Sequence, residues 1–252
     1  MKLIFPKNIF SQFIIDNLPD QLKKETAFYP SSLIVHEVKK NESNIGLIPI
    51  LDLIKNNDLF VSKSFGLAFE GSLCNSYIYY KSKQHEVSEI TLLGDLSSVE
   101  VILCKVLFKE IYDSPVEIKI STEKHDLIRG NYVIVGDKNF KDEKYLSGIS
   151  FAEEMVEILS LPFVNYVFAS GDRNNIEKLN DMLIGVSNSI YDSVEADKFT
   201  QSYSLKTKNY IYENISSLIF DFGDQDLEGI NQIMRLPYFH GFIDEIVDLK
   251  FV

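Results

Sequence analysis

Positive charge is scarce in this sequence: 25 Lys and Arg stand among 37 Asp and Glu, leaving a net charge of -12. No basic stripe survives that dilution, which excludes DNA, RNA and anionic lipid surfaces as partners. No segment reaches the roughly 18 consecutive apolar residues of a membrane span. The apolar start at Leu3, Ile4 and Phe5 is cut by Pro6, far short of a signal-peptide core, so the expectation is a cytoplasmic protein. Cysteine is limited to Cys74 and Cys104, without a CxxC pair, and both read as buried small hydrophobes rather than a redox couple. His36, His85, His125 and His240 are scattered with no HxxxH or HxH spacing, so no metal site is expected. GxSxG, GxGxxG and P-loop patterns are all missing, which leaves the hydrolase, dinucleotide and NTPase readings unsupported. Internal repeats and low-complexity segments are also absent, and nothing speaks to oligomeric state.

What is present is apolar substance, 45% of 252 residues, enough for one large α/β domain or two lobes. The most telling stretch runs from Gly148 to Ser170. Glu153 and Glu154 open an amphipathic helix carrying Met155, Val156, Ile158 and Leu159, with acid where the helix dipole favours it. Pro162 stops that helix, and Phe163 to Ala169 is free of charge, as a strand buried on both faces must be.

Elsewhere the apolar runs predict strands at 3–5, 44–50, 59–69, 77–80, 90–93, 116–120 and 131–135. Helical spacing follows Pro6 through Phe10, Phe13, Ile14 and Leu18, and again after Ser31-Ser32. It recurs at Val99, Ile102, Leu103 and Val106, and along Ile176 to Ile190. Residues 81–89 read as a polar connection. Residues 205–252 read as mostly helical, with a turn at Gly223 to Asp226. The chain leaves one lobe near residue 80 and returns near 165. The expectation is therefore lobe 1 from residues 1–80 and 167–252, and an inserted lobe 2 from 81–166.

Three places combine polar side chains with a turn that could face a ligand. Asp95-Leu96-Ser97-Ser98 precedes an apolar helix, where free N–H groups and hydroxyls bind anionic oxygens; the simpler reading is that Asp95 or Ser97 caps the helix. Gly136-Asp137 follows a strand at the carboxyl end of a sheet, the usual ligand side of open α/β folds, or it is only a loop turn. Gly71-Ser72 and Asn75-Ser76 sit just before the first crossing strand and face either a cleft or solvent. Tyr77, Tyr79 and Tyr80 reflect strand propensity rather than a stacking platform.

Several of these segments, in the same order, resemble the chorismate dehydratase family of menaquinone biosynthesis. The Glu153-Glu154 helix with Ser160-Leu-Pro-Phe-Val164 is similar to that family's acidic helix start followed by Gly-Leu-Pro-Phe-Val. Asn44-Ile-Gly-Leu-Ile-Pro49 is similar to its Asp-Val-Ala-Leu-Ile-Pro strand, and Phe69-Glu-Gly-Ser72 to its Gly-x-Val-x-Ser turn. Asp95-Leu-Ser-Ser98 resembles its Ser-x-Thr-Ser helix start, and Val135-Gly-Asp137 its Ile-Gly-Asp loop. Tyr210 to Asn214, Asp226 to Gly229 and His240-Gly241 are like its C-terminal helices. The resemblance spans nearly the whole chain.

It implies a two-lobed type II periplasmic-binding-protein-like fold with two hinge crossings, closing over a small anionic substrate without metal or organic cofactor. It also implies removal of water from chorismate to give 3-[(1-carboxyvinyl)oxy]benzoate. Asn8 stands where the family's catalytic Asn follows its first strand. Ser72, Asn75, Ser97, Ser98, Gly136 and Asp137 are the expected substrate-binding residues. The pattern departs where Ile50 follows Pro49 in place of Ser, where Asn75 replaces the turn's Ser, and where Val99 follows Ser98. Two further readings remain beside the lyase: a small-carboxylate-binding protein on the same fold, and a structural or interaction protein with a filled cleft.

Overall fold

The computed structural model describes residues 2–81, 87–113, 115–122, 130–195 and 203–252. His85 and His125 lie outside the described residues, as does most of the polar connection expected at 81–89.

The chain opens with the buried strand β1 (Leu3–Pro6), and Pro6 closes it. Helix α1 (Ile9–Asn17) follows, buries Ile9, Phe10, Phe13 and Ile14, and is capped by Asn8. A short α2 (Asp20–Lys23) and an edge strand β2 (Thr26–Tyr29) come next. A 3-10 turn at Ser31–Leu33 leads into α3 (Ile34–Lys39), whose Ile34 and Val38 pack on β3 (Ile45–Pro49). A second 3-10 segment, Ile50–Lys55, precedes the long strand β4 (Phe60–Phe69).

The chain then crosses over. Strands β5 (Ser76–Tyr79) and β6 (Glu89–Gly94), helix α4 (Ser98–Tyr112), and strands β7 (Glu117–Ile120) and β8 (Tyr132–Val135) begin the second sheet. After α5 (Lys138–Lys141), strand β9 (Ile149–Ser150) completes it and α6 (Phe151–Leu159) leads back. Ser160 ends α6 in the left-handed conformation, and β10 (Phe163–Ser170) re-enters the first sheet with every residue buried. Helices α7 (Arg173–Leu183), α8 (Val186–Glu195) and α9 (Leu205–Asn214) lead to β11 (Leu218–Asp221), α10 (Asp224–Phe239) and β12 (Lys250–Phe251).

The two sheets repeat one plan. The larger runs β11-β4-β10-β3-β1-β2, with β12 beside β4, and the smaller runs β7-β6-β8-β5-β9. In each, a parallel set meets one antiparallel strand that arrives from the other lobe: β10 pairs antiparallel with β3 and β4, and β5 with β8 and β9. An apolar run free of charge is what an interior strand flanked on both edges requires, and β10 has that run.

Several elements differ from the sequence expectation. Strand β5 belongs to the smaller sheet and β10 from Phe163 to the larger, so the crossings fall at residues 70–75 and 160–162, each a few residues before the expected boundaries at 80 and 166. The helix expected through Ile190 breaks into α7 and α8 at Gly185, whose φ of 79° no helix interior tolerates. Residues 218–221 form a strand because Leu218 and Phe220 alternate inward beside β4, and Gly223 caps α10 rather than separating two helices. Strand β2 has no buried side chain and leaves Phe28 exposed, so it left no apolar run to read.

Helix α10 locks the second crossing. A Cβ at Gly229 would stand 2.6 Å from the Pro162 carbonyl oxygen, so only glycine lets the helix lie this close to the hinge. Helix propensity alone would make Gly229→Ala stabilising by about 1 kcal/mol. The clash should reverse that sign, giving a net loss of about 1–2 kcal/mol in chemical denaturation; a gain would show that α10 does not press on the crossing.

Candidate functional site

The seam between the lobes is where the polar side chains expected from the sequence gather, and the structure closes it with carboxylates. Asp137, after β8 of the smaller lobe, accepts a hydrogen bond from the first amide of α1 in the larger, Ile9 N to Oδ1 at 2.8 Å. Asp95, after β6, reaches the turn before α3 and takes both the amide of Ser31 at 2.9 Å and its hydroxyl at 2.8 Å. In the opposite direction, Asp52 of the larger lobe accepts from the Ser98 hydroxyl at 2.5 Å, at the start of α4. Three polar starts on facing walls thus each hold a carboxylate from the other lobe.

Behind these contacts lies a buried hydrogen-bond chain. Asn75 Nδ2 lies 3.5 Å from the Tyr166 hydroxyl, which lies 3.2 Å from Ser31 Oγ, and Ser31 Oγ donates to Asp95. Tyr166 is 0% exposed in the middle of β10. A hydroxyl has one hydrogen, so Ser31 gives its own to Asp95 and receives that of Tyr166. Two sites on this seam are incompletely satisfied: Asn8 Nδ2 and Asn75 Oδ1 are buried with no partner.

Each expected residue can now be placed. Asn8 caps α1 through Oδ1, which accepts from Ser11 N at 2.9 Å, and is 5% exposed. Asn75 and Gly136 meet directly, Gly136 N donating to the Asn75 carbonyl at 2.8 Å. Ser97 caps α4 and is occupied within its own helix, its amide and hydroxyl both donating to Glu100 Oε2 at 2.9 and 2.7 Å. Ser98 faces Asp52, and Asp137 faces α1. Ser72 stands apart: its hydroxyl donates to Asn214 at 2.9 Å and its carbonyl accepts from Tyr77 at 2.9 Å. Asp95 does not cap α4; it bridges to the other lobe instead.

Ser31, Asp52, Glu100, Asn139 and Tyr166 complete the site without having been singled out. For Glu100 the sign was in the sequence, since Ser97-Ser98-Val99-Glu100 is the Ser-x-x-Glu pattern of a capping box. Asn139 Nδ2 lies within hydrogen-bond distance of three carbonyls, those of Ile134 and Gly136 at the end of β8 and that of Asn75 in the first crossing. No local pattern marks Asp52 or Tyr166, whose roles exist only across the seam.

Burial dominates the electrostatics. It holds the carboxyls of Asp52, Glu100 and Asp137 above the usual range, against the hydrogen bonds from Ser98, from Ser97 and from Ile9 that pull the other way. The Tyr166 hydroxyl is driven well up by the same burial and by the nearby negative charge of Glu100, Asp95 and Asp52. Cys74 and Cys104 are buried free thiols, also pushed up by burial. Among the described residues, no group of three or more His, Cys, Asp or Glu is placed to hold a metal ion, and no helix is long and apolar enough to cross a membrane.

Around Asn8 and Asp137 the seam leaves little room. Beside Asn8 and Asp137 there is a cavity of about 220 Å³, flanked by Lys7, Lys141 and Tyr203, below the roughly 300–1,000 Å³ of ordinary small-molecule sites. The C-terminal segment braces this closed arrangement. Tyr210 of α9 stacks on Tyr145 of the smaller lobe at 4.1 Å, and Thr207 donates to the Phe140 carbonyl at 3.1 Å.

Solved structures share this architecture. The alkanesulfonate-binding protein of Xanthomonas axonopodis pv. citri bound to MOPS aligns over 98% of this chain and 95% of its own, at 12% identity and a TM-score of 0.64. The periplasmic aliphatic sulphonate binding protein of Escherichia coli aligns over 99% and 90%, at 9% identity and 0.61. A Candida albicans gene product described as having the generic periplasmic binding protein fold aligns over 97% and 91%, at 12% identity and 0.53. The chain has the two-lobed periplasmic-binding-protein-like α/β fold. No family model matches the sequence, and no curated protein does. In this chain the inter-lobe seam holds the chain's own acids, Asp137, Asp95 and Asp52.

The raised carboxyls fix the sign of a pH effect. The folded protein keeps protons that the unfolded chain has already released, so stability rises as pH falls from neutral toward the ordinary carboxylate range and is lost as pH climbs past the raised values. Glu100→Gln keeps the capping box, since Gln serves at that position, and removes the buried charge. Its thermal midpoint should exceed the parent's by about 2–4 °C at neutral pH, and the difference should shrink near the ordinary carboxylate range. A variant less stable than the parent at neutral pH would contradict this reading of Glu100.

Proposed function

We propose that the protein binds a small organic carboxylate between its lobes, the ligand's carboxylate taking a start now held by one of the chain's own acids. The observation that carries this reading is the placement of Asp137, Asp95 and Asp52 on three amide or hydroxyl starts across the seam. Amides with unspent donors and oriented hydroxyls bind carboxylates irrespective of their origin. An incoming ligand competes with an intramolecular acid, and opening of the seam precedes its entry. Two of the sulfonate-binding proteins of this fold bind small organic anions by their names, which agrees with the ligand class.

A second reading, chorismate dehydration, is favoured by one feature. Asn8 stands at the end of β1 with its amide NH2 buried and unspent, where the resemblance to the chorismate dehydratase family puts a catalytic Asn. Loss of water from chorismate needs a proton taken from a ring carbon and another given to the departing hydroxyl. Asn8 Nδ2 would hold a substrate oxygen, and the Asp137 carboxyl, raised by burial and bonded to the neighbouring Ile9 amide, would give its proton to the departing hydroxyl and, as carboxylate, recover the proton taken from the ring carbon.

Thermal-shift measurements with chorismate, 3-hydroxybenzoate and succinate, beside a chorismate assay for the aromatic product, test both readings. Carboxylate-dependent stabilisation that weakens in Ser98→Ala supports the binder; turnover abolished in Asn8→Ala supports the lyase. No stabilisation by any of the three acids, and no turnover, would remove both.

A further inference from the structure

On one flank the seam is open, and its chemistry differs from the rest of the molecule. A cavity of about 680 Å³ lies between α3 and the 3-10 segment Ile50–Lys55 of the larger lobe and α4 of the smaller one. Three lysines and a histidine, Lys39, Lys55, Lys105 and His36, line it against a single carboxylate, Asp52. That carboxylate is already engaged with Ser98. In a chain with 25 basic residues to 37 acidic ones, this reversal of sign is local.

The walls are apolar and come from both lobes. Ile54 stands on one side, Val101 and Ile102 on the other, and Phe242, from the segment after α10, closes the end. Phe242 remains 40% exposed, and Lys105 Nζ rests 5.6 Å from its ring centroid. Lys39 is held by Asn56 at 3.0 Å and Asp58 at 2.9 Å, which leaves Lys55 and Lys105 as the groups that decide the sign of the groove.

We propose that this groove is a binding site for a small organic monoanion with an apolar body, an aryl or medium-chain carboxylate. Its volume falls within the range of ordinary small-molecule pockets. The anionic head lies near Lys55 and Lys105, and the body packs on Ile54, Val101 and Phe242. An aromatic body stacks on Phe242, in the place where Lys105 now supplies a cation–π contact. Because the walls belong to both lobes, an occupant also holds the lobes together, beside the Asp52–Ser98 contact and away from Asp95 and Asp137. The groove borders one start of the small-carboxylate reading, since Asp52 and Ser98 both line it, but its cations and apolar walls are apart from the starts held by Asp137 and Asp95.

Isothermal titration with 1-naphthoate, 1-naphthylmethanol and 1-naphthylmethylamine tests it, since the three share one apolar body and differ in charge. The expected result is 1-naphthoate binding at least tenfold tighter than the alcohol, and no binding of the amine. The Lys55→Gln/Lys105→Gln double variant should weaken naphthoate at least tenfold. Val101→Trp, at a half-buried position facing the groove, should abolish binding while circular dichroism stays unchanged. Equal binding of all three probes, preference for the amine, or no binding of naphthoate at millimolar concentration would overturn the proposal. So would naphthoate binding that is lost in Asn8→Ala and retained in Val101→Trp, because that pattern moves the ligand to the central seam.

Discussion

The helix and turn starts facing the seam expose N–H and O–H groups that need acceptors, and in this chain the acceptors are its own carboxylates reaching from the opposite lobe. Asp137 on Ile9, Asp95 on Ser31 and Asp52 on Ser98 each join one wall to the other. Hydrogen bonds to a charged partner contribute about 1.5–3 kcal/mol each before desolvation is counted. The gap between open and closed forms of two-lobed proteins is a few kcal/mol. Three such contacts are therefore comparable with the whole closing free energy, and they act without any ligand.

The same contacts carry a cost. Burial of Asp52, Glu100 and Asp137 disfavours their charged forms, and the molecule already holds a net charge of -12. The acids stay at the seam because donors meet them there, and because the chain of Asn75, Tyr166 and Ser31 behind Asp95 is itself buried and has no water to turn to. The crossing strands fix this geometry. Strand β10 puts Tyr166 opposite Asn75, and Gly229 of α10 lets a helix press on the return crossing at Pro162.

Much of this architecture could be read from local patterns. The charge-free run at Phe163 to Ala169 marked the return strand because an interior strand tolerates no charge on either face. Pro6 and Pro162 marked the ends of elements, and Ser97 and Asp137 were recognised as polar turn positions. What escaped were roles made by pairing across the seam. Asp95 looked like a helix cap because capping is local, but its partner is Ser31, 64 residues away. Ser72 lay near the right crossing but turns to Asn214. Strand β11 was hidden inside a helix-like stretch, since its partner β4 lies far back in the chain. The basic groove escaped for the same reason: His36, Lys55 and Lys105 are distant in sequence and share a wall only after the lobes meet.

The central claim is that the lobes close on themselves without a ligand. Spin labels at Glu117→Cys in the smaller lobe and Lys178→Cys in the larger, both exposed, report the distance between lobes, and the native Cys74 and Cys104 are buried away from the label. The account predicts one short, narrow distance distribution in the ligand-free protein, and a longer, broader one when Asp52, Asp95 and Asp137 are all changed to Ala. A ligand-free parent that already shows the longer distribution, or a triple variant indistinguishable from it, would contradict the account.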